Sequence, residues 1–526
     1  MQLEIRRNDI HRAVYYWGLI LLCVSLPVSN YFMSVALFIL SLNWIFEGDF
    51  SRKWMIFTKR KSLLAILSVY LLHVIGLLYS ADFQYAIHDL KIKLPLLALP
   101  LIVATSEKLS VRRLKIILQF FIASVFVASL IVTVSYIIKD QSLLTDRRSI
   151  SLFISHIRFS LLIDMSVFIC LYFSLYPTFN SSAKEKVVYL ILSVWFTVFL
   201  FILQSFTGIW IFIMILPVVL IHWSVIKRNA WLMLSICSAL LVGFIFILVL
   251  LYSAISKFYP PPPEVIPEEL EKYTANGNLY YHNPEHKVIE NGNYIKLYIC
   301  DKELRSKWNR ISDIHYDSLD NKGQALNQTL IRYLTSKGLR KDSAGLDALS
   351  QEDVRMIENG YSNHIFKKPF ALYPRIYQFI WELDVYFKTG RSGGHSLTQR
   401  IEYIKNGIEI IKRNFWTGVG TGDLKIEYDR QYEISNSRLA PKWRLRAHNQ
   451  YVTFFIAFGF LGFTWIVFAF IYAISYERKW RDLLTLLFLL IALLSMLNED
   501  TFETHAGICF FSFFLALFVF GYRKNI

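Results

Sequence analysis

The sequence predicts an all-α polytopic membrane protein with about twelve transmembrane helices and a large, mainly helical loop domain on the far side of the membrane between helices 9 and 10. Three observations predict it. Apolar residues make up 55% of the 526, and the mean hydropathy is +0.39. They come in blocks of roughly 15 to 27 residues nearly free of charge, the length a helix needs to cross hydrocarbon. Lysine and arginine collect in alternate segments between those blocks, as the positive-inside rule requires. A soluble chain of this size would instead divide its apolar residues among several small cores.

Spans are expected at about 13–28, 31–46, 63–79, 94–106, 114–138, 152–176, 187–203, 206–225, 231–255, 450–474, 482–497 and 506–522. The basic N-terminus leads into the first block with no small-residue cleavage site, so that helix is expected to be retained. With both termini cytoplasmic, the inner segments hold Arg6–Arg7, Arg52 to Lys61, Lys108 to Lys115, Lys184, Lys186, Lys227–Arg228, Arg478 to Arg481 and Arg523–Lys524. The short outer loops hold only Lys91, Lys93, Lys139, Arg147 and Arg148. Three segments follow: 1–255 with helices 1–9, the loop domain 256–449, and 450–526 with helices 10–12. Aromatic rings at block ends, such as Tyr15–Tyr16–Trp17 and Trp443, suit the membrane interface.

The formal net charge of +16 arises from those loop cations, so the expected partners are membrane lipids and no nucleic acid. The five cysteines show neither a pairing pattern nor metal spacing.

The loop domain opens on Pro260 to Pro263, a stiff exit from the ninth span. Leu397, Ile401, Ile404, Ile408 and Ile411 recur at helical spacing, with Ser396 placed to cap the helix. The run Gly418-Val-Gly-Thr-Gly-Asp423 lacks the Lys-Ser/Thr ending of a phosphate loop and reads as a turn, not a nucleotide site. The basic segment Lys337 to Asp342 has two readings, a grip on an anionic glycan and a solvated face.

The stretch Trp443-Arg-Leu-Arg-Ala-His-Asn-Gln-Tyr451 carries the most chemistry. Arg444 and Arg446 offer planar forks that fit phosphate oxygens, and His448 titrates near neutrality and can take a proton from a hydroxyl. This combination suits a reaction in which a phosphate leaves and an alcohol attacks. The plain alternative is an interfacial patch touching lipid head groups. No His-Glu-x-x-His, paired cysteines or clear Asp-x-Asp is present, so no metal and no cofactor are expected.

Four pieces in order carry a resemblance: Ser396-Leu-Thr-Gln-Arg-Ile-Glu-Tyr403, Gly418 to Asp423, His448-Asn-Gln-Tyr451 running into a span, and Glu499-Asp-Thr-Phe-Glu-Thr504 before the last span. With nine spans, a large loop and three more spans, the chain resembles the O-antigen ligase superfamily, which includes O-antigen polymerases and protein O-oligosaccharyltransferases. The resemblance implies a metal-independent, inverting glycosyltransferase of the bacterial inner membrane, working at the periplasmic face. The donor would be a glycan on undecaprenyl diphosphate, and the acceptor lipid A core or another glycan. His448 matches the family's proposed general base, and Arg400 its diphosphate-binding loop arginine.

The family often carries an arginine at the start of the eighth span, where this chain has Ser205-Phe-Thr-Gly208. Arg158, near the outer end of the sixth span, is the expected substitute, because a charge that deep in an apolar block usually serves a function. Pairing with Asp164 is disfavoured, since six residues of helix turn the two about 240° apart. Arg147 and Arg148 are weaker candidates. Glu499, Asp500 and Glu503 form an acidic cluster, and Glu499 and Glu503, with Asn449, are candidates for supporting roles: orienting His448, hydrogen-bonding sugar hydroxyls or balancing the arginines; an acidic helix entry is the alternative. A transporter of lipid-linked glycans would also fit twelve spans but should show two similar halves, and none are evident. A non-catalytic envelope scaffold would tolerate loss of His448, Arg400 and Arg158 together.

Overall fold

The computed structural model describes residues 2–138, 152–259, 264–286, 288–367, 372–390, 392 and 396–522. Arg147, Arg148, Lys139, Pro260 to Pro263, Arg523 and Lys524 lie outside them, as does the side chain of Ser396.

The described chain is mostly helical. In order it forms α1 (Gln2–Ser25), α2 (Asn30–Glu47), α3 (Phe50–Lys59), α4 (Lys61–Leu77), α5 (Phe83–Thr105), α6 (Val111–Ile138), α7 (His156–Leu175), α8 (Ala183–Leu203), α9 (Phe206–Lys227) and α10 (Ala230–Phe258). A polar stretch follows with one short hairpin, β1 (Ile289–Glu290) and β2 (Asn293–Tyr294), and α11 (Asp301–Ile311), α12 (Leu326–Ser336), α13 (Ser343–Asp347), α14 (Gln351–Glu358) and α15 (Leu372–Thr389). The chain closes with α16 (Ser396–Arg413), α17 (Leu424–Ile434), α18 (Gln450–Tyr476), α19 (Leu483–Met496) and α20 (His505–Leu515), which widens into a π turn at Ala516–Gly521.

Each expected span coincides with a helix. Among the described residues seven are long and apolar enough by themselves to cross a membrane (α2, α6 to α10 and α18), with an eighth if α3 and α4, bent by 88°, count as one. The others differ for physical reasons: α19 is short, and α1 and α5 carry charges in their first halves. Lys91 and Lys93, expected in a short loop, in fact lie inside α5, which begins eleven residues before the apolar run at 94.

The chain divides into two compact units, Met1–Cys237 with Gln399–Ile526, and Ser238–Thr398. The division falls at 398/399, so 399–449, expected within the loop domain, folds with the helical unit.

The second unit has its own core of Leu304, Trp308, Leu330, Tyr333, Leu334 and Ile357, all fully buried. Its basic segment is partly solvated and partly tied into the unit. Lys337 pairs with Asp353 at 2.9 Å, Arg340 with Glu271 at 2.7 Å, and the buried Lys341 ammonium donates to the carbonyls of Tyr294 and Leu297 at 3.0 Å each.

In the first unit the glycine-rich run has a structural task. α18 breaks at Gly459, whose φ of 61° and ψ of −167° are open only to glycine. A break frees backbone groups that hydrocarbon cannot satisfy. Residues 415–420 take them up: the amides of Val419 and Gly420 donate to the carbonyls of Ile456 and Ala457 at 2.9 Å each, and Phe460 donates to Phe415 O at 2.7 Å. A Cβ on Gly418 would stand 2.4 Å from the Ala457 backbone, and one on Gly459 2.4 Å from that of Trp416. At the other end of the run, the Asp423 carboxylate accepts from the amides of Ala81 and Asp82 at 2.8–2.9 Å, and Asp82 in turn caps α5 through Tyr85 N at 2.8 Å. The run thus pins the start of α5 to the broken helix.

Helix α16 buries Tyr403, Gly407 and Ile410, whereas the stripe from Leu397 to Ile411 is only half-buried and Ile408 is 43% exposed. Gly407 decides the face, because the Tyr428 hydroxyl and Val452 approach it so closely that a Cβ there would meet them at 2.6 and 3.0 Å.

Candidate active site

Four elements bring charge together in the first unit: the start of α7, the first turns of α16, residues 444–450 before α18, and the turn Glu499–Glu503 before α20. The last is a 3-10 turn at Thr501–Glu503, and Thr504, not the acidic residues, caps α20 by accepting from Gly507 N. Glu499 lies before that turn and Glu503 at its end, so the two do not share a helical face, and they serve different partners.

Glu499 sits between two arginines. One carboxylate oxygen lies 3.2 Å from Arg400 Nη2 and the other 3.5 Å from Arg158 Nη2. Arg158 Nη2 also donates to the Asp500 carbonyl at 3.0 Å, while its buried Nη1 has no partner among the described residues. Asp164 takes no part: its buried carboxyl oxygens also lack partners there. The Asp500 carboxylate accepts from the Thr453 hydroxyl at 2.9 Å.

Glu503 serves the other side. It accepts from Arg446 Nη1 at 3.0 Å and Lys93 Nζ at 3.0 Å, and Gln450 Nε2 donates to it at 3.3 Å. Burial pushes its carboxyl upward, but the Lys93 and Arg446 charges outweigh that and hold it below the usual carboxylate range. Burial opposes the charge on Arg446, and Glu503 and Asp500 more than restore it, so that guanidinium stays ionised.

His448 is half-buried, with a φ of 48°. Histidine is among the residues that tolerate the left-handed region, and the conformation turns the chain into α18. Its ring lies 5.8 Å from that of Tyr403, centroid to centroid. Burial is the largest influence on its titration and lowers it; Asp500 and Glu499 favour the imidazolium, and Arg400 and Arg446 oppose it. The net shift is downward, leaving a neutral imidazole at pH 7. His448 therefore shares one electrostatic neighbourhood with Arg400 and Arg446, while Glu499 ties Arg158 to the same group. Such an arrangement can accept a proton beside a bound polyanion.

Residues 370–467 match the O-antigen ligase family model. The match supports the O-antigen ligase superfamily, the resemblance read from the order of the motifs. No curated protein matches the chain. The stretch matched to the O-antigen ligase model contains Arg400, Arg444, Arg446, His448 and Asn449; Arg158, Glu499 and Glu503 lie outside it.

Two candidates have other employment. Arg444 Nε donates to the Leu439 carbonyl at 3.2 Å, and its guanidinium lies 6.0 Å from the Tyr432 ring centroid. Asn449 caps α18 by accepting from Val452 N at 3.0 Å and donates to the Leu497 carbonyl at 2.9 Å, tying the His448 turn to the acidic segment.

At the start of α9, Ser205 and Gly208 flanking Phe206 face α7. Ser205 caps that helix and donates to Ser160 Oγ at 2.9 Å, and a Cβ on Gly208 would strike Ser160 at 2.6 Å. The serine and glycine seat α9 against α7 two residues beyond Arg158. Sequence reasoning missed Asp89 and Lys93. Their spacing of four on a helix was the available signal.

Proposed function

We propose that this protein is a glycosyltransferase moving a glycan from undecaprenyl diphosphate to an acceptor hydroxyl, with lipid A core as the acceptor, in the manner of an O-antigen ligase. It would act from the bacterial inner membrane with twelve spans, cytoplasmic termini and its site on the periplasmic face. The bridge from Arg158 through Glu499 to Arg400, whose Glu499 and Arg400 charges act on His448, is the observation that carries the reading.

His448 removes the proton from the acceptor hydroxyl as its oxygen attacks the anomeric carbon. The bond from that carbon to the diphosphate oxygen breaks on the opposite face, inverting the configuration. The electron pair leaves with undecaprenyl diphosphate, and Arg158, Arg400 and Arg446 stabilise the growing negative charge. The imidazolium then returns its proton to solvent. The neutral imidazole at pH 7 and the unpartnered Arg158 Nη1 support this assignment. No metal or cofactor is assigned a role.

Glycolipid analysis of a deletion strain tests it. Intact glycan accumulating on undecaprenyl diphosphate, with bare lipid A core, is the expected result. Single repeat units capping the core would identify a polymerase instead. Normal transfer with His448 replaced, and the protein present in the membrane, would remove the enzyme reading and favour a transporter.

A further inference from the structure

Helix α5 carries Asp89 and Lys93 one turn apart, 3% and 1% exposed. A buried ammonium is costly unless matched, and this one is matched twice. Lys93 Nζ lies 2.5 and 2.6 Å from the Asp89 oxygens and 3.0 Å from Glu503 Oε1. The other oxygen of Glu503 takes Arg446 Nη1 at 3.0 Å. Arg446 also meets the hydroxyl of Tyr85 at 3.3 Å, one turn before Asp89 on the same helix. α5 therefore reaches Arg446 by two routes, directly through Tyr85 and through the row Asp89–Lys93–Glu503.

The row also reaches the turn bearing His448. Gln450 donates to Glu503 at 3.3 Å and accepts from Phe502 N at 2.7 Å, two residues after the imidazole. Two carboxyl groups face two cations along the row. It fixes direction: with Lys93 drawing one oxygen of Glu503 inward, the other faces Arg446.

We infer that Lys93 and Asp89 are positioning residues: Lys93 holds Glu503, and Glu503 holds Arg446 and the 446–450 turn in the orientation that donor binding and proton transfer need. The inference rests on the glycosyl-transfer reading. Neither residue touches substrate.

The test uses the full-length enzyme in lipid nanodiscs with a lipid-linked glycan donor. Lys93→Met is expected to lower kcat per folded molecule at least tenfold and to raise KM for the donor. Arg446→Ala added to Lys93→Met should cost less than twofold more, because its orientation is already lost. Lys93→Arg, which keeps the charge, should recover part of kcat. Asp89→Asn, which leaves the Lys93–Glu503 contact, should lower kcat severalfold, and it decides the matter if Lys93→Met does not fold. A normal kcat per folded molecule in Lys93→Met or, failing that, Asp89→Asn overturns the inference, as does full additivity with Arg446→Ala. Replacement of His448 separates the two claims: full activity there removes the transfer reading itself, whereas an inactive His448 variant beside active Lys93 variants removes only the positioning role.

Discussion

Arg158, at the start of the seventh helix, meets Glu499 at 3.5 Å, and the same carboxylate reaches Arg400 at 3.2 Å from its other oxygen. Two guanidiniums converge on one carboxylate, and each keeps further N–H groups that a bound anion could take. Arg158→Ala is expected to reduce transfer about 10²- to 10³-fold, the range for losing one group that stabilises developing charge. Arg158→Lys should recover little, because an ammonium cannot present a planar fork to two oxygens. Rates normalised to protein in the membrane check this; equal activity of the lysine variant would refute the fork argument.

His448 sets a different trial, because its φ of 48° burdens most replacements with backbone strain as well as lost chemistry. Asparagine tolerates that conformation and has no basic nitrogen. His448→Asn should keep the thermal midpoint within a few degrees and lose about 10²- to 10⁴-fold in rate, the contribution of a positioned base. A loss of midpoint equal to the loss of rate would make the histidine a structural residue.

The acid limb of the pH profile follows from the same residue. The base must be neutral to act, and burial with Arg400 and Arg446 lowers its titration below the ordinary value. Activity should therefore persist below pH 6.5 and fall only at more acid pH. Arg400→Gln removes a charge that opposes the imidazolium, so the limb should move to higher pH. Glu499→Gln removes a charge that favours it, so the limb should move to lower pH. Profiles of kcat/KM for the two variants check the opposed signs.

What could be read from the sequence had a physical basis in each case. The helices were legible because a polar backbone in hydrocarbon has few solutions, and long apolar blocks declare one of them. Arg158 was legible because a charge in such a block is out of place. Lys93 was not: it stands just before an apolar run, and the helix boundary was drawn where the apolar residues begin, not where the helix does. The acidic turn was recognised as a group, but its division of labour was hidden, since Glu499 and Glu503 find partners on α7, α16 and α5, far away in sequence. The buried face of α16 was not legible, because packing there is decided by Gly407, which apolar periodicity does not register.

The broken helix gives the last prediction. At Gly459 an added Cβ would meet the Trp416 backbone at 2.4 Å, in a region of φ and ψ that costs a side chain of order 1–3 kcal/mol before any clash. Gly459→Ala should therefore destabilise the protein by more than about 3 kcal/mol, strain and clash together. Gly418→Ala, which drives a Cβ into Ala457 from the other side, should do the same. Gly243 is the control: it lies within α10 with nothing inside 4 Å of its added Cβ. There alanine should be neutral or stabilise by about 0.5–1 kcal/mol, the usual gain over glycine inside a helix. Thermal unfolding in detergent, compared across the three variants, checks the contrast. A tolerant Gly459 would mean that the loop 415–420 does not hold the break, and that the glycine-rich run owes its place to something other than backbone contact.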